Sequence, residues 1–146
     1  MNRFFRSASA ALVGQMSPLG AAPSVQAADL GVYQEYPSGV CAERWVLGKI
    51  RHRFDYQVRH VPHLPLVSIA DFQDIRERRH LPAVENWPIG RTYCGATVIL
   101  SDGDVRDIWY LIEEGQGFAS IGDNVEFCVS GFDRWNVYNG RCRVLR

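Results

Sequence analysis

From Val40 to Val58, apolar side chains recur at Ala42, Trp45, Val46, Ile50, Phe54 and Val58. A spacing near four gathers them on one stripe of a helix. The other face carries Glu43, Arg44, Lys49, Arg51, His52 and Arg53, and Ser38 is placed to cap the first turn. The pattern predicts an amphipathic helix with a mostly basic, solvated outer face. Pro62 and Pro65 end it and favour an extended connector over residues 61–67. A second, shorter helix is predicted from Ser68, because Ser68-Ile69-Ala70-Asp71 has the shape of a capping box with Asp in place of Glu. Ile69, Phe72 and Ile75, three residues apart, form its expected buried stripe. Arg76, Arg78, Arg79 and His80 then fall in its last turn, where each positive charge offsets exposed carbonyls by about 0.3–1 kcal/mol. Pro82 closes it.

After Gly90 the texture changes to short apolar runs separated by turn signals. Residues 92–100 read as a strand, Ser101-Asp102-Gly103 as a turn and residues 104–112 as the returning strand. Residues 113–122 form a glycine-rich connection. Residues 125–129 are a third strand, with Val125, Phe127 and Val129 on one face and Glu126 and Cys128 on the other. Asn139-Gly140, flanked by residues 135–138 and 141–145, predicts a terminal hairpin in which Cys142 shares a core face with Trp135, Val137 and Val144. The expected fold is α+β, with two N-terminal helices on one face of a four- or five-stranded antiparallel sheet, stapled by disulfides.

The N-terminus adds an address. Residues 1–27 hold Arg3 and Arg6, no acidic residue, a small-residue and apolar stretch, and Val25-Gln26-Ala27 before Ala28. This is the pattern of a cleavable export signal, leaving residues 28–146 as a single exported domain, periplasmic or secreted. No segment approaches the roughly 20 apolar residues of a spanning helix. The chain of 146 residues carries 16 basic and 16 acidic side chains, and without Arg3 and Arg6 the balance becomes 14 against 16. That excludes the net basic surface of a nucleic-acid binder. Lys49 is the single lysine, a bias that fits GC-rich coding.

Four cysteines, Cys41, Cys94, Cys128 and Cys142, suit an oxidising compartment. Three pairings are possible, and the favoured one joins Cys41 to Cys94 and Cys128 to Cys142. There is no Cys-x-x-Cys and no zinc spacing. His60 and His63 are separated by Pro62 and so do not share a helix face. Asp102, Asp104 and Asp107 lack the ligand spacing of a calcium loop, and residues 115–122 lack a nucleotide fingerprint. No metal or cofactor is expected. Glu113, Glu114 and Glu126, in an acidic belt near Trp109, Tyr110 and Phe118, are the candidate catalytic carboxylates for glycan or peptide hydrolysis. Asp133, Asn136 and Tyr138, in an aromatic and amide-rich segment, are the candidate ligand-binding residues.

Residues 109–146, in particular Tyr110-Leu111-Ile112-Glu113, Gly117-Phe118-Ala119, Asn124-Val125-Glu126-Phe127-Cys128 and Gly140-Arg141-Cys142-Arg143, resemble small exported cysteine-containing proteins of unknown function from alphaproteobacteria. The resemblance implies a bacterial envelope address and carries no activity or site residue with it. The functional expectation is a non-enzymatic binding domain whose partner is an envelope protein or glycan. Its alternative is a small envelope hydrolase acting through the acidic belt.

Overall fold

A computed structural model describes residues 39–146, so the expected leader and the Ser38 cap lie outside the described residues. Val46, Ile50, Phe54 and Val58, each four residues after the last, are all buried along one side of α1 (Arg44–His60). Burying such side chains stabilises by roughly 1.5–3 kcal/mol apiece. Trp45, at the edge of that stripe, is exposed. A short 3-10 turn, Gly39–Ala42, precedes the helix, and Val61 ends it with its N–H bonded to the Gln57 carbonyl, just ahead of Pro62.

Four antiparallel strands follow in simple meander order: β1 (Ile69–Leu81), β2 (Arg91–Leu100), β3 (Val105–Glu113) and β4 (Asn124–Val129). The β2–β3 register pairs Thr92 with Ile112, Cys94 with Tyr110 and Ala96 with Ile108. All of these but the buried, polar Thr92, together with Val98, Leu100, Val125 and Val129, form the sheet side of the core beneath α1. The fold is α+β with one helix on a four-stranded sheet.

The expected second helix is instead the edge strand β1. Three register shifts, between Ile69 and Asp71, Gln73 and Arg76, and Glu77 and Arg79, explain why its sequence mimics a helix. Each bulge inserts an extra residue, so side chains on one face recur at three instead of two. Ile69 is buried and Phe72 and Ile75 are half-buried against the core, with Asp74 at φ 51° in the middle bulge. The helix period was a bulged strand period.

The expected terminal hairpin is also absent. Asn139, Gly140, Arg141 and Cys142 all have positive φ, between 51° and 64°. Asn139-Gly140 thus adopts the left-handed conformation a tight hairpin turn requires, but two further left-handed residues turn the chain away from any extended return strand. A 3-10 turn, Arg143–Leu145, takes its place. Cys142 and Leu145 are buried, whereas Trp135, Val137 and Val144 are 64%, 68% and 57% exposed, so the predicted common core face does not exist.

This irregular terminal segment covers the sheet face opposite α1. Cys142 and Leu145 pack there on Trp109, Leu111 and Cys128, with Tyr93 and Tyr138 at the margin. The disulfides join the favoured pairs. Cys41–Cys94 ties the turn ahead of α1 to β2, and Cys128–Cys142 ties the terminal segment to β4. Buried Tyr110 reinforces the first tie by donating its hydroxyl to the Cys41 carbonyl at 2.8 Å. No helix among the described residues is long and apolar enough to cross a membrane.

Candidate binding cleft

The second half of α1, β4 and the terminal segment enclose a cleft of about 260 Å³. Arg53 and Gln57, one helical turn apart, form its helical wall, and Phe132, Asp133, Trp135 and Tyr138 face them. The walls are locked together. Gln57 Nε2 donates to the Phe132 carbonyl at 3.0 Å, Arg53 donates to the Val125 carbonyl, and the Phe54 and Phe132 rings meet edge to face at 4.9 Å. Asp133 holds the terminal segment in shape, since its carboxylate accepts the Tyr138 N–H at 3.2 and 3.4 Å.

Of the three sequence candidates for ligand binding, Asp133 and Tyr138 line this cleft. Asn136 is exposed at φ 54° with its amide beside Gly140, and is not among the lining residues. Burial raises the Tyr138 phenol above its ordinary pKa, the charges of Glu126 and Asp133 push the same way, and Arg53 and the Phe127 backbone oppose them in part. The phenol is therefore a neutral hydroxyl that can donate and accept. The sequence pattern left Arg53 on a solvated helix face and did not single out Gln57. It placed Trp135 in the core, yet the indole stands at the cleft rim. The cleft offers an exposed aromatic surface, a neutral hydroxyl and amide and guanidinium groups already oriented by backbone carbonyls. Those are the components of a binding site.

The catalytic candidates divide between the two sides of the sheet. Glu113 is paired with Arg91 at 3.0 Å, on the same sheet face as Glu126, which lies opposite Leu111 beside the terminal segment. Glu114 turns the other way and packs on Gly90, its carboxylate filling the space a side chain there would occupy. It opens toward Glu77, His80, Thr92 and Asp123, a group in which His80 Nδ1 and the Thr92 hydroxyl are 3.0 Å apart. Two carboxylates flanking one bond is the geometry glycoside hydrolysis needs. Glu113 and Glu126 share one face as diagonal neighbours across β3 and β4, with Glu113 held by Arg91, and Glu114 lies on the other side. His60 stacks on Tyr56 and hydrogen-bonds its carbonyl, and no three His, Cys, Asp or Glu side chains are grouped as metal ligands among the described residues.

A second surface lies on the sheet face covered by the terminal segment. Arg79, opposite Tyr93 in the β1–β2 register, lays its guanidinium 3.9 Å from that ring centroid. The Arg146 guanidinium lies 4.3 Å from the Trp109 centroid. Between them, Arg78 fills the space that a side chain on Gly95 would occupy, its Cδ 3.0 Å from the position of an added Cβ. Gly95 pairs with Trp109 on β3, so the three guanidiniums stand side by side across the sheet. Among the described residues the ion pairs are Arg91–Glu113 and Arg106–Asp104, and Arg78, Arg79 and Arg146 belong to neither.

No protein-family model, curated protein or solved structure matches this chain.

Proposed function

We propose that the protein is an exported binding domain, acting in the periplasm or outside the cell, that takes a short stretch of envelope glycan or peptide in the cleft between α1 and the terminal segment. The observation that carries this reading is the Trp135 indole, 64% exposed at the rim of a cleft whose polar walls are already fixed. An exposed aromatic supplies contact area, and preorganised polar groups supply direction without a further ordering cost on binding. Two disulfides in a small α+β domain suit an oxidising compartment, which supports the export reading. The alphaproteobacterial resemblance points to the same address.

Titration of the isotope-labelled protein with cell-wall glycan and peptide fragments tests this. Shift changes confined to Arg53, Gln57, Asp133, Trp135 and Tyr138, and lost in Trp135→Ala, are the expected result. The competing reading is a small envelope hydrolase, kept because Glu114 shares a pocket with His80 and Thr92. Turnover of the same fragments that disappears in Glu113→Gln, Glu114→Gln or Glu126→Gln would replace the binding reading with the hydrolytic one.

A further inference from the structure

The sequence places the basic run Arg76, Arg78, Arg79 and His80 in the last turn of a helix, where positive charge offsets the exposed carbonyls. It lies instead on strand β1, which has no such row of carbonyls at its end. His80 pairs with Thr92 and turns to the α1 side of the sheet, while Arg79 and Arg78 turn to the opposite side. There they meet Arg146, delivered from the far end of the chain. We infer that this arginine face is an anion-binding surface, separate from the cleft, and that its ligand is an acidic polysaccharide chain.

Three features carry the assignment. The first is charge. Arg78, Arg79 and Arg146 are exposed and bonded to no carboxylate among the described residues, whereas Arg91 and Arg106 are paired. The acidic groups on the same sheet face are Glu113, held by Arg91, Glu126 on the far strand β4, Asp107 opposite Thr97, and Asp71 opposite Ile99 at the other end of β1. The second is orientation. Two of the guanidiniums lie over aromatic rings, so each planar fork is held in place before any ligand arrives, and its outward N–H groups are free to bind sulfate or carboxylate in pairs. The third is spacing. The guanidiniums lie over Tyr93 and Gly95 on β2 and Trp109 on β3, and Arg76, paired with Gly95 on the same face, extends the row to β1, so the positive side chains cover two interstrand distances or roughly 10 Å. One small anion cannot bridge them, whereas a chain with a charge on successive sugar units can. Over the centre of this face the rings lie beneath the guanidiniums, and the exposed apolar side chains Leu81 and Val105 stand apart at opposite strand ends, which disfavours a lipid surface.

The test uses heparin and a polyuronate as probes, with the full oxidised protein at low and at physiological salt. Both polysaccharides bind, and binding weakens with added salt because exposed charges are screened over about 8–10 Å. Arg78→Ala, Arg79→Ala and Arg146→Ala each weaken it by about fivefold, and the triple variant by roughly a hundredfold. Arg44→Ala, on the exposed start of α1, leaves it unchanged. All three positions are exposed, and thermal unfolding of each single variant checks that the fold is kept. Absence of binding to both polysaccharides at low salt overturns the proposal, as does equal weakening by Arg44→Ala. So does tighter binding to polyglutamate, to anionic lipid vesicles or to inorganic phosphate than to either polysaccharide. The cleft reading has its own readout, shift changes at Gln57, Asp133 and Tyr138 on adding cell-wall fragments, so failure here and failure of the cleft reading are distinguishable.

Discussion

The two faces of the sheet are closed by different means. On one, α1 repeats the same contact every fourth residue, and a core of buried side chains runs from Val46 to Val129. On the other, an irregular segment contributes only Cys142 and Leu145 to the buried cluster, and it is held by a disulfide to β4. A helix satisfies its own backbone and can be kept in place by side-chain burial alone. A segment of consecutive turns has little apolar stripe to bury, so a covalent tie must limit its freedom. Both surfaces with binding character adjoin this weaker cover. The cleft lies between it and α1, and the arginine face extends from it across β1.

The largest effect is expected on the helical side. Phe54→Ala removes a fully buried ring in contact with Phe132 and is expected to cost about 3–5 kcal/mol in denaturant unfolding. A loss below about 1 kcal/mol would show that α1 is not the main cover. Replacing Cys128 and Cys142 together by Ala removes the 14-residue tie and is expected to cost about 3 kcal/mol. Hydrogen exchange sharpens the comparison: residues 130–146 should lose protection while α1 and β2 keep theirs. Uniform loss would mean that the two covers unfold as one.

Tyr110 links the α1 side to the first disulfide, and Tyr110→Phe leaves the buried Cys41 carbonyl without its donor. The expected cost is about 1–3 kcal/mol. Burial raises the Tyr110 phenol well above its ordinary range. The folded state therefore holds a proton that the unfolded chain releases, so this contribution is complete below about pH 10 and falls as pH rises beyond it. Unfolding measured between pH 9 and pH 11 should show a shallower decline in Tyr110→Phe than in the parent protein. The smallest effect concerns the terminal segment. Val144→Ser is expected to change stability by less than about 0.5 kcal/mol, because the side chain is exposed. A cost of about 2 kcal/mol would restore the hairpin with its core face.

Much of the helical side was legible in the residues. The four-residue spacing of Val46, Ile50, Phe54 and Val58 identifies a buried stripe without reference to anything outside the helix. The alternation of Val125, Phe127 and Val129 with Glu126 and Cys128 does the same for β4, and the Ser101-Asp102-Gly103 turn separates β2 from β3. Strand β1 was not legible, because its bulges shift the core-facing positions to a spacing of three and local pattern then favours a helix. The terminal hairpin misled for the converse reason. Asn139-Gly140 does turn as its chemistry requires, but a hairpin also needs extended residues on both sides, and Arg141 and Cys142 are left-handed. Of the candidate site, Asp133 and Tyr138 were visible as a polar and aromatic segment. Arg53 and Gln57 were not, because a helix face looks solvated until something packs beside it.

The sequence by itself determined the class of fold, the period of α1 and the course of β2 to β4, and left the choice among three cysteine pairings to the tertiary structure. The features it determined depend on interactions between near neighbours. Only the tertiary structure decided that residues 69–81 form a strand and that Trp135 leaves the core for a cleft rim. It alone set Arg78, Arg79 and Arg146 side by side on one face. Each of these outcomes depends on a partner distant along the chain, and no local pattern carries the position of such a partner.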